Sequence, residues 1–420
     1  ILVDPARNPK QYFDYADHMG SKIVGVIETH PHADFVSSHL EIHKQNGSTI
    51  YASKLLGAEY LHEPFDEGQE IKVGEVRLRA LNTPGHSPDS ISIVASENGI
   101  DKAVFTGDTL FIGDVGRPDL REKAGEIWAK REELARQMYH STREKLMKLD
   151  DSVVVYPAHG SGSLCGKALS DASSSTIKAE KTSNYALQEM TEDEFVDELL
   201  SDQPFIPKYF AYDVDLNKQG APNYQESIDN VRILEENFKP EEGAVMVDAR
   251  DEASFKKSHY HGAINIMEGD SFETWLGSII SPNEAFYLIA GDQDTLSMVI
   301  DKAAKIGYEL NIKGAFIYTR TEDESTSELN LEEFKNHPEN YQIIDIRNES
   351  EWEEGKIFES AEHYPLHELR EKAEEIKHNK PLVVHCAGGY RSAAGTSILQ
   401  AALDEQEVYD LSEAVKEFNE

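Results

Sequence analysis

Four short segments of this chain carry side chains suited to binding a metal ion. Thr29-His30-Pro31-His32-Ala33-Asp34-Phe35 sets two imidazoles and a carboxylate at alternate positions of one loop. Thr83-Pro84-Gly85-His86-Ser87-Pro88 adds a histidine, Phe105-Thr106-Gly107-Asp108-Thr109 an aspartate, and Tyr156-Pro157-Ala158-His159-Gly160 a further histidine. A lone histidine in a turn is ordinarily a solvated side chain. An ordered set of imidazole and carboxylate donors, each flanked by Gly or Pro, suits a transition metal instead. Phe35 stands out because it closes the first motif with a side chain that cannot ligate.

A second chemistry lies toward the C-terminal end. Cys386-Ala387-Gly388-Gly389-Tyr390-Arg391-Ser392 follows an apolar run, 382–384, and precedes a helical pattern of small residues. Such a loop turns the backbone N–H groups of Ala387, Gly388, Gly389, Tyr390 and Ser392 around one sulfur at a helix N-terminus, which favours a thiolate and cradles an anion. Arg391 adds a fixed positive charge. A buried Cys at a strand end is common, but two Gly and an Arg in the same loop mark Cys386 and Arg391 as a reactive pair. Cys165, in Gly162-Ser163-Leu164-Cys165-Gly166, has no basic neighbour in sequence and reads as an incidental thiol.

The elements that must position these groups follow from pattern. Apolar runs at 23–27, 49–52, 75–81, 90–95, 102–106 and 152–156, bounded by Gly, Pro and polar clusters, predict strands. Four of them end at the metal-binding segments. Residues 125–149 carry helical periodicity with i,i+4 charge pairs. The serine-rich stretch 170–175 reads as a surface loop, so the first domain runs over 1–222 to the break at Gly220-Ala221-Pro222.

Beyond that break the chain repeats itself. Ala244-Val245-Met246-Val247-Asp248-Ala249-Arg250 is echoed by Tyr341-Gln342-Ile343-Ile344-Asp345-Ile346-Arg347. Acidic stretches holding Phe255 and Trp352 follow, then the matching segments 261–266 and 360–365, then the strands 286–290 and 382–386. A period of about 95 residues is too long for a solenoid and predicts two copies of one α/β domain, over 223–322 and 323–420. The acidic run from Thr321 to Ser327 is the expected linker. The first copy has Ala290-Gly291-Asp292-Gln293-Asp294 in place of the Cys loop, with no thiol and no Arg, and is expected to be inactive.

The ordered set His30-x-His32-x-Asp34, His86, Asp108 and His159 resembles the metallo-β-lactamase superfamily. Thr83-Pro84-Gly85-His86-Ser87, Thr106-Gly107-Asp108 with Gly116-Arg117-Pro118-Asp119, and Tyr156-Pro157-Ala158-His159-Gly160 are similar to its persulfide dioxygenase branch. The Cys386 loop and Asp345-Ile346-Arg347 look like a rhodanese domain over 328–420. The resemblance implies an α/β multidomain chain: an αββα sandwich with the metal site at one edge, then two α/β rhodanese-like domains with parallel sheets. It also implies one non-haem Fe(II) per chain held by His30, His86 and Asp108, with His32, Asp34 and His159 orienting them.

Hydrolases of the superfamily carry a His directly after the Asp of the first motif, where it helps hold a second metal. Phe35 in that place argues for the single-metal arrangement of Fe(II) oxygenases. Arg117 then either grips a substrate carboxylate bidentately or forms an ion pair with Asp114 or Asp119. The implied activity is oxidation of a low-molecular-weight thiol persulfide by O2 to sulfite, with Cys386 passing sulfane sulfur to sulfite to give thiosulfate. The rival readings are a glyoxalase II-like dinuclear thioester hydrolase, reversed sulfur flow through Cys386, and a non-catalytic sulfur-binding or sensing protein.

Bulk properties bound the rest. A length of 420 residues allows two to four domains. A formal net charge of −37 argues against nucleic acid or an anionic membrane as partner. No apolar stretch reaches the length of a membrane span. Two distant cysteines make no disulfide framework and fit a reducing, cytoplasmic setting. The chain opens at Ile1 inside what reads as a strand, so a fragment lacking its first strand or two is expected, as is a homo-oligomer.

Overall fold

A computed structural model of the chain describes all residues except 122–130, 168, 236–237, 242, 321–322, 404–405 and 419–420. The described residues divide into two units, Ile1–Gln225 and Glu226–Glu420. In the first unit, β1 (Leu2–Val3), β2 (Gly25–Ile27), β3 (Thr49–Ala52) and β4 (Glu63–Pro64) lie side by side in that order, all parallel. A second sheet contains β5 (Glu70–Val73), β6 (Val76–Asn82), β7 (Ile91–Glu97), β8 (Ile100–Gly107), β9 (Val154–Pro157) and β10 (Ser175–Thr176), in spatial order β10-β9-β8-β7-β6-β5. Asn98-Gly99 joins β7 to β8 with both φ angles positive, 52° and 77°. A two-residue type I′ turn requires that conformation, and it sets the pairing of Glu97 with Ile100.

Successive strand side chains face opposite ways, so each sheet offers one side to its partner and one to helices. Ile27 packs with Leu78, Ala80, Ile91 and Ile93 between the sheets. Its neighbour Val26 packs outward with Ile42, Tyr12 and Phe13, on the helices His39–Asn46 and Lys10–His18. On the far face of the second sheet, Val94, Val104 and Val155 meet Ala135 and Met138 of the helix Arg131–His140 and Phe195 of the helix Glu192–Leu200. The layers run α, β, β, α. Of the helical stretch expected over 125–149, residues 125–130 lie outside the described residues. The remainder is the helix Arg131–His140, a π turn over Ser141–Lys145 and a 3-10 turn over Leu146–Lys148. Ser175, expected in a loop, begins β10.

The second unit holds two parallel four-stranded sheets of one topology. The first contains β11 (Val245–Asp248), β12 (Ala263–Asn265), β13 (Phe286–Ala290) and β14 (Ile312–Ile317), ordered β12-β11-β13-β14. The second contains β15 (Gln342–Asp345), β16 (Glu362–His363), β17 (Leu382–His385) and β18 (Val408–Asp410), ordered β16-β15-β17-β18. The repeat extends to side chains. Arg250 Nη2 donates to Asp248 Oδ2 at 2.6 Å and to Ser258 O at 2.9 Å, while Arg347 Nη2 donates to Asp345 Oδ2 at 2.7 Å and to Gly355 O at 2.9 Å. Asp248 pairs with Ile289 and Asp345 with His385 across the sheets, so Ala290 stands where Cys386 stands.

Thr321 and Glu322 of the expected linker lie outside the described residues. The rest is stitched to the first copy: His259 N donates to Glu324 O and Thr326 N to Lys256 O, both at 2.9 Å. Among the described residues no helix is long and apolar enough to cross a membrane.

Candidate metal centre and cysteine loop

Strands deliver their donors to one edge of the first unit. His30 and His32 follow β2, His86 follows β6, Asp108 follows β8 and His159 follows β9. The ligand atoms of His30, His86 and Asp108 lie within 4.8 Å of one another, and all three residues are buried. Nε2 of His30 and of His86 stand 3.7 and 3.5 Å from Asp108 Oδ2. The other oxygen, Oδ1, stands 3.2 Å from His159 Nε2, which is 3.4 Å from Asp34 Oδ2. His32, Asp34 and His159 make a second group within the same 4.8 Å limit. Asp108 therefore turns one oxygen toward each of two donor sets.

These residues fit a metal. Both oxygens of Asp108, together with His159 Nε2, are buried and make no hydrogen bond of acceptable geometry. Such groups are costly unless compensated, and converging imidazole and carboxylate donors are the ligand types a transition metal takes. Burial works against charge on Asp108, yet His159, His30 and His86 hold it well below the ordinary carboxylate value. Burial likewise opposes the His159 cation, but Asp108 and Asp34 raise it well above the ordinary imidazole value.

Asp4, which in the sequence only ends a strand, ties down the first motif. Its Oδ1 accepts from Thr29 N at 2.7 Å and its Oδ2 from Thr29 Oγ1 at 2.8 Å. Thr29 has one hydroxyl proton and gives it to the carboxylate, so its oxygen accepts from His30 Nδ1 at 3.0 Å. His32 Nε2 lies 3.2 Å from Asp4 Oδ1. His86 Nδ1 is 2.9 Å from Arg117 O, a carbonyl that can only accept. Both contacts place the proton on Nδ1 and leave Nε2 of His30 and His86 to face Asp108. Gly116 permits this packing, because a Cβ there would lie 1.9 Å from Asp108 O.

Two sequence readings are decided here. Arg117 is not open to a substrate carboxylate: it is 1% exposed, and Nε and Nη2 donate to Asp119 Oδ1 and Oδ2 at 2.7 Å each. Its Nη1 donates to the carbonyls of Leu164 and Phe205, both at 3.3 Å. The ion-pair reading, with Asp119, is the one observed. Cys165 has a basic neighbour in space although none in sequence; its Sγ groups with Asp108 and His159 within 4.8 Å. Burial first, then Asp34 and Asp108, push that thiol well above its ordinary value. Phe35 stacks on His32 with ring centroids 4.2 Å apart and lies 6.3 Å from His159, beside the second donor set.

In the second unit Cys386 is buried, and Gly389 N donates to its Sγ at 3.1 Å. The helix Tyr390–Ala402 begins directly behind, with Gly389 at its N-cap at φ 106°. Ala387 and Gly388 form the exposed tip. Ser392 Oγ closes the loop onto Gly389 O at 2.8 Å, and Tyr390 Oη donates to Met267 O at 2.6 Å. Arg391 is held from the side: Nη1 donates to Glu351 Oε2 at 2.5 Å and Nη2 to Glu351 Oε1 at 2.7 Å. Burial works to raise Glu351, but Arg391 outweighs it and keeps the carboxyl below its ordinary value. The sequence signal for Glu351 is only the acidic stretch around Trp352. In the first copy, Asp292 caps the helix Gln293–Lys305, accepting from Thr295 N at 2.8 Å, so a carboxylate stands at the helix end where an anion would bind.

Known proteins share this architecture. Residues 1–159 match the Metallo-beta-lactamase superfamily and residues 330–420 the Rhodanese-like domain. A crystal structure of a metallo-beta-lactamase from Staphylococcus aureus subsp. aureus COL is 31% identical, with a TM-score of 0.66 over 76% of this chain and 90% of that one. The mitochondrial persulfide dioxygenase ETHE1 of Bos taurus is 28% identical over 186 residues, 44% of this chain and 65% of the bovine protein. A probable metallo-hydrolase of Burkholderia pseudomallei (strain 1710b) is 28% identical over 203 residues, 42% of this chain and 65% of its own. The chain thus spans a little under two thirds of these two relatives. Fold, donor set and likeness to the staphylococcal protein agree: the chain belongs to the metallo-β-lactamase superfamily, has a metal cofactor, and ends in a rhodanese-like domain.

Proposed function

We propose that the chain is a persulfide dioxygenase joined to a sulfurtransferase. The observation that carries this reading is the buried set of two imidazoles and one carboxylate, His30, His86 and Asp108, in a sequence 28% identical over 186 residues to a persulfide dioxygenase. One Fe(II) held there would supply the O2 and sulfur chemistry typical of such centres. The protein's own part is positional. Asp4, through Thr29, and the Arg117 carbonyl fix the imidazoles, while His32, Asp34 and His159 flank them. Burial keeps bulk water away from the reacting sulfur. In balance, one O2 and one water convert the terminal sulfur of a low-molecular-weight thiol persulfide to sulfite, releasing the thiol and two protons.

Cys386 serves as sulfur carrier, with Arg391 and the backbone of 387–390 and Ser392 around it. Sulfite attacks the outer sulfur of the Cys386 persulfide, the S–S bond breaks, and its electron pair stays on Cys386 as thiosulfate leaves. The Gly389 N–H and the helix N-terminus stabilise that thiolate. The other copy, whose loop at 290–295 has neither thiol nor Arg, acts as scaffold. Adding persulfide to the purified protein should consume O2 and yield thiosulfate, and Cys386→Ser should release sulfite in its place. Thiosulfate output unchanged by that substitution would remove the coupling.

One observation favours a second reading, a dinuclear thioester hydrolase. His32, Asp34 and His159 form a donor set of their own, with Asp108 between the two. That reading predicts thioester cleavage with no O2 uptake, so the same O2 trace separates the two.

A further inference from the structure

Arg391 is the only cationic residue of the 386–392 loop, and it is occupied. Glu351 presents both carboxylate oxygens to its guanidinium fork at 2.5 and 2.7 Å, the geometry in which the fork also binds sulfur and phosphorus oxyanions. The flank of the loop at Tyr390 faces Glu268, Asp270 and Glu273. Lys302, on that side, is engaged by Glu268 at 2.6 Å. An oxyanion arriving at Cys386 must therefore rely on Arg391.

The Glu351–Arg391 pair is built to exchange. Arg391 and Glu351 side chains are 15% and 29% exposed, so water and solutes reach them without unfolding. Glu351 also has a second partner: its Oε2 accepts from Asn348 N at 3.0 Å in the capping box of the helix Glu349–Glu354. A displaced Glu351 keeps that bond and is not left unsatisfied. The internal repeat offers an independent comparison. Since Asp248 matches Asp345, Ser254 of the first copy matches Glu351, and that copy has no arginine in the loop at 290–295. The carboxylate and the guanidinium occur together in the copy with a thiol and are both missing from the copy without one.

We propose that Glu351 determines ligand specificity at Cys386 by competing with oxyanions for Arg391, so that ligands of the sulfite and thiosulfate class bind only by displacing it. The proposal deepens the sulfur-carrier reading and rests on it. With Glu351 in place the loop is charge-balanced, and a thiol persulfide reaches Cys386 without having to displace an ion pair.

The test uses the full chain and inorganic sulfate as an inert oxyanion. The rate at which iodoacetamide alkylates Cys386, followed by peptide mass spectrometry, is measured against sulfate at constant ionic strength. Glu351→Gln should lower the half-protecting sulfate concentration by about tenfold, the value of one charge-assisted hydrogen bond. Arg391→Gln should abolish protection. Protection in Glu351→Gln that is equal to or weaker than wild type overturns the proposal. If that variant fails to fold, Glu351→Ser, the residue of the first copy, is judged by the same criterion. A persulfide mass increment on Cys386 after exposure to a thiol persulfide tests the underlying reading separately. Its absence overturns that reading and does not alter the sulfate result.

Discussion

Oδ1 of Asp108 lies 3.2 Å from Nε2 of His159, while its Oδ2 faces His30 at 3.7 Å and His86 at 3.5 Å. One carboxylate thus adjoins two donor sets, and the metal count depends on what completes the second. Phe35 contributes a ring there and no ligand. Wild-type protein loaded anaerobically with Fe(II) should hold about one iron per chain, and Phe35→His should move the value toward about two. Elemental analysis against protein concentration measures both. Two ions in the wild type would mean that His32, Asp34 and His159 suffice and that Phe35 is a bystander.

Asp4 reaches both histidines of the first motif, directly at His32 and through Thr29 at His30. Substitution Asp4→Asn keeps the shape and removes the charge, so the imidazoles lose the partner that orients them. Metal affinity, read by competition with a coloured chelator, should fall by about 10–100-fold while circular dichroism stays native. Thr29→Val should reproduce the part of the loss that passes through His30. Undiminished affinity in Asp4→Asn would exclude it as a positioning residue.

Arg117 offers a contrast between sequence expectation and structure that can be measured. If it gripped a substrate carboxylate, Arg117→Gln would raise KM and leave stability alone. Its guanidinium is instead buried between Asp119 and two carbonyls. Breaking a buried pair by removing one partner costs about 3–5 kcal/mol. The variant should therefore melt at a lower temperature and bind metal less tightly, because the Arg117 carbonyl that holds His86 moves with it. A KM effect at unchanged stability would restore the substrate-binding role.

The groups that chemistry singles out were legible because their types are rare at strand ends: His30, His86, Asp108, His159 and Cys386 all lie where the pattern of apolar runs puts them. The strand at 49–52 was also plain, its buried and half-buried residues alternating as Thr49-Ile50-Tyr51-Ala52. Short polar strands such as Glu63–Pro64 and Glu70–Val73 carry no such signal, since pairing with a neighbour rather than burial defines them. The supports of the site were hidden for another reason. Asp4 meets Thr29 across 25 residues and Glu351 meets Arg391 across 40, so each pair exists only once the strands are side by side. Cys165 meets His159 within a single connection, from β9 to β10, so that contact depends on how one irregular loop folds and leaves no periodic signal.

The Glu351–Arg391 pair also sets a pH dependence whose sign is fixed. The folded protein holds the Glu351 carboxyl below its ordinary value, so folding favours the ionised form. An unfolded glutamate titrates near about pH 4.3. The stabilisation is therefore fully present above that value and is lost as pH falls through the lower folded one. Arg391 stays charged throughout and contributes no proton of its own to the change. Calorimetric melts of the wild type and of Glu351→Gln should differ most near neutrality, with the wild type higher. The gap should begin to close below about pH 5 and vanish once the folded-state carboxyl is protonated. A gap that widens on acidification would require a carboxyl raised by burial and not held by Arg391, and would contradict the ion pair itself.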